Sequence, residues 1–340
     1  MDYIINFGGY DATKAYRSYD TIDVFKVTSN GVEKVDDHGL ALSEPRHDTV
    51  SATLGDFTMV MGGTSGFDVT DAIDIFKTTK NGVIKVDDRG LKLSVARTDL
   101  AAAAAGNYIL AMGGESGSYS DAVDVFKVTA NGVLGVSSHS LALSVARGVF
   151  TAASTGNFIL AMGGMKQGGY SDAVDVFKVT SDGVEHVNYD LSLSEPRAFL
   201  SSAAIGNYIL VLGGSAGSSL HYKSVDVFEV KNDEVIKLNN HGLKLSVARN
   251  VLATAVVGDY VLAMGGFDGT NALDTIDVFK LENGKLKTVT NHGLALNPAR
   301  AYLSAASAGN CVLAMGGIVA RDENKKSIPT NAVEVFYNYD

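Results

Sequence analysis

The stretch DAVDVFKVTANGVLGVSSHSLALSVARGVFTAASTGNFILAMGG, residues 121–164, decides how the chain is read, because it recurs with small edits from one end to the other. Its arginine marks the period. Arg46, Arg97, Arg147, Arg197, Arg249 and Arg300 stand 50 to 52 residues apart. A period of that size implies a solenoid, a propeller or an array, and a shared repeat framework implies one domain over residues 1–340 where length alone would suggest two.

Each repeat carries four strand signals. The first follows the arginine, as in DLAAAAAG (99–106) and VFTAASTG (149–156). Alanine is the best helix former, so 101–106 alone would read as helix. Its counterparts hold Val, Thr, Ser and Phe at the same positions and all end in Gly, which favours a strand of small side chains in the most crowded part of the repeat. The second signal, NYILAMGG and its relatives, is a near-continuous apolar run of the kind buried on both faces. Gly-Asn or Gly-Asp joins it to the first as a tight hairpin. The third, VDVFKV, alternates, and the fourth, such as GVIKV, follows Asn-Gly or Asp-Gly in most copies. Four antiparallel strands in about 50 residues make a propeller blade.

These residues resemble the kelch family across the whole chain. Gly-Gly closes the second strand seven times, at Gly8-Gly9, Gly62-Gly63, Gly113-Gly114, Gly163-Gly164, Gly213-Gly214, Gly265-Gly266 and Gly316-Gly317. The third-strand aromatic recurs at Phe25, Phe76, Phe126, Phe177, Phe228, Phe279 and Phe336, and Pro-Arg or Ala-Arg opens six repeats. The Trp typical of the fourth strand is replaced by aliphatics such as Val35 and Val86. The resemblance implies an all-β, kelch-type β-propeller. Strands two and three occur seven times but strands one and four six times. Seven blades are therefore favoured, the first without its inner strand and the last without its outer one; the alternative is six blades, closed by Ala301–Gly309 joining the N-terminal blade.

Composition excludes several function classes. A net charge of −10 argues against nucleic acid, and the one Lys/Arg-rich stretch, Arg321 to Lys326, is diluted by Asp322 and Glu323. No apolar run approaches the ~20 residues of a membrane span. Met1 leads straight into the strand-like YIINFGG, and the single Cys311 suits a reducing compartment, so a cytoplasmic location is expected.

The copies themselves separate scaffold from surface. The Gly-Asn and Asn-Gly hairpins hardly vary, whereas the loops after each Gly-Gly and the two residues after each Arg vary strongly. Both variable sets fall at one edge of the blades. Function is expected in what does not repeat. That face would present Tyr10, Tyr16, Arg17, Phe67, Tyr119, Tyr170, His221, Tyr222, Phe267, Tyr302 and Arg321, rich in the Tyr and Arg of interface hot spots. The family resemblance implies the same, a face that receives a protein or peptide. A non-catalytic interaction module with no cofactor is the first reading.

The second is a glycan-binding or glycan-modifying propeller similar to the sialic-acid epimerases, in which His47, Asp48, Asp99 and Glu115 from neighbouring blades would supply acid–base chemistry. Third is an assembly role, with incomplete end blades self-associating by their strand edges.

Two repeated features read as structure. Each Arg lies one strand-start from a repeated acid (Asp23, Asp74, Asp124, Asp175, Asp226, Asp277, Glu334), which predicts a buried Arg–carboxylate brace in each blade. His38, His139, His241 and His292 share a repeat position one per blade, too dispersed to hold one ion. Cys311 takes the place of a Tyr or Phe, which makes it a small buried hydrophobe and not part of the Tyr–Cys copper site of galactose oxidase.

Overall fold

A computed structural model describes residues 2–11, 17–37, 39–321 and 327–338, and every regular element among them is a β-strand. Blade 3 shows the plan. Ala101–Ala105, Tyr108–Met112, Val123–Thr129 and Gly132–Val136 form an antiparallel sheet in chain order. The register pairs Ala105 with Tyr108, Tyr108 with Lys127 and Phe126 with Gly135. The turns explain the hairpin residues. Gly106 adopts φ +56° and Gly132 φ +124°, both in the region that glycine enters without cost. Thr129 Oγ1 donates to the Gly132 carbonyl at 2.9 Å and accepts from the Asn131 N–H at 3.2 Å.

Seven such blades are present among the described residues. Five have four strands; blade 1 (Asp2–Phe7, Ile22–Thr28, Gly31–Val35) lacks the inner strand, and blade 7 (Ser304–Ala308, Cys311–Met315, Val333–Tyr337) lacks the outer one. The chain divides into two compact units, residues Met1–Ser192 with blades 1 to 4 and residues Leu193–Asp340 with blades 5 to 7. The alanine run is a strand, as its counterparts imply. Ala101, Ala103 and Ala105 are buried while Ala102 and Ala104 are half-exposed, the period-two pattern of one packed face.

The core of each blade is its second strand. Ile109 to Met112 and Ile159 to Met162 are wholly inaccessible. Leu110 and Met112 pack with Ile159, Ala161 and Phe177 of the next blade in one cluster. The first-strand side chains are small because a neighbouring inner strand lies alongside; Ser154 Oγ donates to the Ala104 carbonyl at 2.6 Å.

The arginine brace is present in all six blades that have the arginine. Arg46, Arg97, Arg147, Arg197, Arg249 and Arg300 are fully buried, and their guanidinium nitrogens lie 2.7, 2.5, 2.7, 2.7, 2.7 and 2.5 Å from Asp74, Asp124, Asp175, Asp226, Asp277 and Glu334. The acid also accepts the N–H of the residue three before the arginine, Ser144 to Asp175 at 2.9 Å and Asn297 to Glu334 at 2.8 Å for example. A charge buried this deeply stays ionised only with such a partner. Burial pushes Asp74 up, but Lys85, the Ser43 N–H and Arg46 outweigh it and hold the carboxyl below its usual range. Burial pushes Arg147 down and Asp175 opposes it. The brace dictates the Gly-Gly pair. A Cβ on Gly113 would lie 2.5 Å from the Arg147 carbonyl, and one on Gly114 would lie 2.6 Å from the Thr98 carbonyl.

The shared-position histidines are turn caps. The Nδ1 atoms of His139, His241 and His292 accept the N–H two residues on, at 3.3, 3.1 and 3.1 Å; His38 lies outside the described residues. Cys311 is fully buried.

Candidate functional site

The two variable sets lie side by side because the residue after each arginine pairs with the residue after each Gly-Gly. The bridges are His47 to Thr64, Thr98 to Glu115 and Gly148 to Met165 in the first unit, and Ala198 to Ser215, Asn250 to Phe267 and Ala301 to Ile318 in the second. Four of the variable loops are themselves small hairpins, Thr64–Ser65 with Asp68–Val69 and Met165–Lys166 with Gly169–Tyr170 among them. They read as irregular loops in the sequence because the paired arms are so short, two residues each in three of the four.

One position organises the face. The second residue after each arginine (Asp48, Asp99, Val149, Phe199, Val251, Tyr302) has φ between +45° and +56°. Left-handed backbone is costly for any residue with a Cβ and rare for a β-branched one. Hydrogen bonds between successive blades join five of the six. Val149 N–H donates to the Asp99 carbonyl at 2.9 Å, Val251 to Phe199 at 2.9 Å and Tyr302 to Val251 at 3.0 Å. The backbone conformation is therefore set by the fold, and the side chain that it presents is left free.

In the first unit the presented chemistry is acidic and aromatic. Asp48 is exposed and Asp99 half-buried. Burial, with the charges of Asp48 and Glu115 added, raises the Asp99 carboxyl to about 6. Tyr119 faces the same group; slight burial and the charges of Glu115 and Asp99 push its hydroxyl up, and Tyr170 is close enough to contribute. His47 Nδ1 lies 3.0 Å from Ser18 Oγ, and its Nε2 is 3.6 Å from Asp48. Asp48, Asp99, Glu115, Tyr119 and Tyr170 thus lie near enough to one another to interact electrostatically. Phe67, at the tip of the Thr64–Val69 hairpin, is 91% exposed. Arg17 is exposed beside Tyr19, with its guanidinium carbon 5.7 Å from the ring. Tyr16 lies outside the described residues, as do the side chains of Tyr10 and Arg321.

In the second unit the same positions are apolar. Phe199 and Val251 are half-buried and Tyr302 is 61% exposed. His221 meets the edge of Phe267 with centroids 6.2 Å apart, and Tyr222 is half-buried. Asp268, beside them, is held below its usual range by the Asn271 N–H first, with Thr270 N–H and His221 assisting. Leu220, which the sequence pattern does not single out, is 48% exposed on this loop. Two surface clefts lie elsewhere, between neighbouring blades at the invariant-hairpin end; one is lined by Tyr3, Leu40 and Val83, the other by Tyr108, His139 and Val184.

Braced four-stranded blades with a Gly-Gly at the second strand and one variable loop edge define a kelch-type β-propeller. The match to known families is with the KLHDC2/KLHL20/DRC7 Kelch-repeats domain, over residues 142–317, just over half of the chain; the protein belongs to that family of Kelch-repeat domains. No curated protein matches the chain.

Proposed function

We propose that the chain is a non-catalytic protein-interaction module whose variable loop face binds a protein or peptide partner. One observation carries this reading. Six left-handed positions, five of them joined by hydrogen bonds between successive blades, present Asp, Val, Phe or Tyr on an otherwise repeated scaffold. A preorganised surface binds without an ordering cost, and exposed aromatics such as Phe67 and Tyr302 are the anchors that such surfaces use.

The test is affinity capture with the wild type beside a variant carrying Phe67→Ala, Tyr119→Ala and Tyr170→Ala, followed by titration of any differentially captured protein in purified form. The reading expects a partner whose Kd weakens at least tenfold in the variant. Capture profiles that do not differ would overturn it.

A second reading has one observation in its favour. Asp99, with a carboxyl at about 6 beside Asp48 and Glu115, has the protonation behaviour of a general acid acting on a sugar. A glycan array decides it. Binding abolished by Asp99→Asn would favour the glycan reading, and a blank array would remove it.

A further inference from the structure

Blade 1 is built as though a strand were still to be added. Among the described residues its strand Asp2–Phe7 pairs with Ile22–Thr28 alone, where each second strand of blades 2 to 4 also pairs with an inner strand. Three observations at this edge agree. First, Tyr3, Ile5 and Phe7 remain half-exposed, whereas their counterparts Tyr108, Leu110 and Met112 are at most 6% exposed. Second, Asp23 occupies the brace position but its side chain is 39% exposed, against 0%, 13% and 1% for Asp74, Asp124 and Asp175, which hold an arginine. Its salt bridge is to Lys34 of the outer strand, as Asp74 has one to Lys85 in addition to its arginine. Third, a Cβ on Gly9 (φ +117°) would meet nothing within 4 Å. On Gly63, Gly114 and Gly164 it would strike the carbonyl of the residue after the arginine, at 2.4 to 2.7 Å.

The missing ligand can be read from the copies. In all six complete inner elements the inner strand starts four residues after the arginine and consists of five residues, mostly Ala, Ser, Thr and Val. We propose that the open edge of blade 1 is a strand-addition site for an extended segment of a partner protein that carries an arginine four residues ahead of a run of small residues. The run pairs with Asp2–Phe7, as peptides add to exposed sheet edges. The arginine meets Asp23, and the residue after it covers Gly9. A second copy of this chain is a poor donor, since its own segments of this kind are already paired in its blades. This site is separate from the loop face and does not rest on its reading.

A synthetic peptide copying Leu141–Gly156 tests the site on the full chain, by fluorescence anisotropy together with amide hydrogen exchange. The expected result is saturable binding that protects the amides of residues 2–7. Affinity should fall at least tenfold for the peptide bearing Arg147→Ala, and equally for the protein variant Asp23→Ala, while Phe67→Ala leaves it unchanged. Absence of binding, affinity indifferent to both the peptide arginine and Asp23, or protection elsewhere in the chain would overturn the proposal. So would self-association in sedimentation that Asp23→Ala abolishes, because a second copy would then occupy the edge.

Discussion

The loop faces of the two units use one backbone to present different side chains, with acids confined to the first unit at this position. At the second position after the arginine, blades 2 and 3 carry Asp48 and Asp99, whereas blades 5 to 7 are led into by Phe199, Val251 and Tyr302. All of them have the same left-handed φ, and in both units the hydrogen bond from the next blade is the same to within 0.1 Å. Conformation here follows from the fold and is indifferent to residue type. Charge and apolarity are the variables, with Val149 of the first unit already apolar like its counterparts in the second.

The largest effects should fall on the shared platform. Arg147→Ala in the first unit and Arg249→Ala in the second each leave a buried carboxylate without its partner and should cost about 3–5 kcal/mol in chemical denaturation. Arg300→Ala should cost less, because the Glu334 side chain is 22% exposed. Full stability in either of the first two variants would break the claim of a common scaffold.

The next effect separates the units. Asp99 has its carboxyl raised to about 6, so the folded state holds the proton more tightly than the unfolded chain. The stabilisation is complete below the ordinary Asp range and is lost as pH rises through about 6. The loss should be on the order of 2 kcal/mol after discounting for partial exposure. Asp99→Asn should flatten that part of the stability–pH profile, and Phe199→Asn in the second unit should not alter its slope. Matching slopes in wild type and Asp99→Asn would show that the acids do not couple.

A smaller change sharpens the backbone half of the comparison. Val149→Asn and Val251→Asn replace a β-branched residue at φ +54° and +45° with one that tolerates this region, and each should gain about 0.5–1 kcal/mol. Destabilisation in both would mean that packing of the valine outweighs its backbone strain. Smallest is His241, whose ring burial pushes down so that its neutral Nδ1 can accept the Leu243 N–H. Stability from this cap is lost as pH falls through the ordinary His range, and His241→Asn should remove that acid-side slope while leaving the neutral plateau unchanged.

Much of the scaffold was legible because the repeats correct one another. Ala101–Ala105 reads as helix in isolation and as strand beside TAAST and ATAVV. The order of arginine and acid recurs in every repeat that has the arginine, so one inference covered six buried pairs, and the two incomplete end blades followed from unequal strand counts. The face was legible as a location but not as an arrangement. Nothing in the propensities of Val149, Phe199 or Val251 signals left-handed backbone, which goes with a hydrogen bond to a residue one repeat away. The convergence of Asp48, Asp99 and Glu115 likewise depends on how adjacent blades are spaced, which no local pattern encodes. The loop hairpins escaped because pairings of two to four residues carry no periodic signal, and Leu220 because it lies in a loop outside any strand.

The left-handed position has an evolutionary consequence. Because its conformation is tied to the neighbouring blade, these codons can drift after duplication at a small cost in stability and without changing the backbone they sit on, and whole repeats can be exchanged with their payload intact. Recognition in such a chain can be rewritten faster than its architecture.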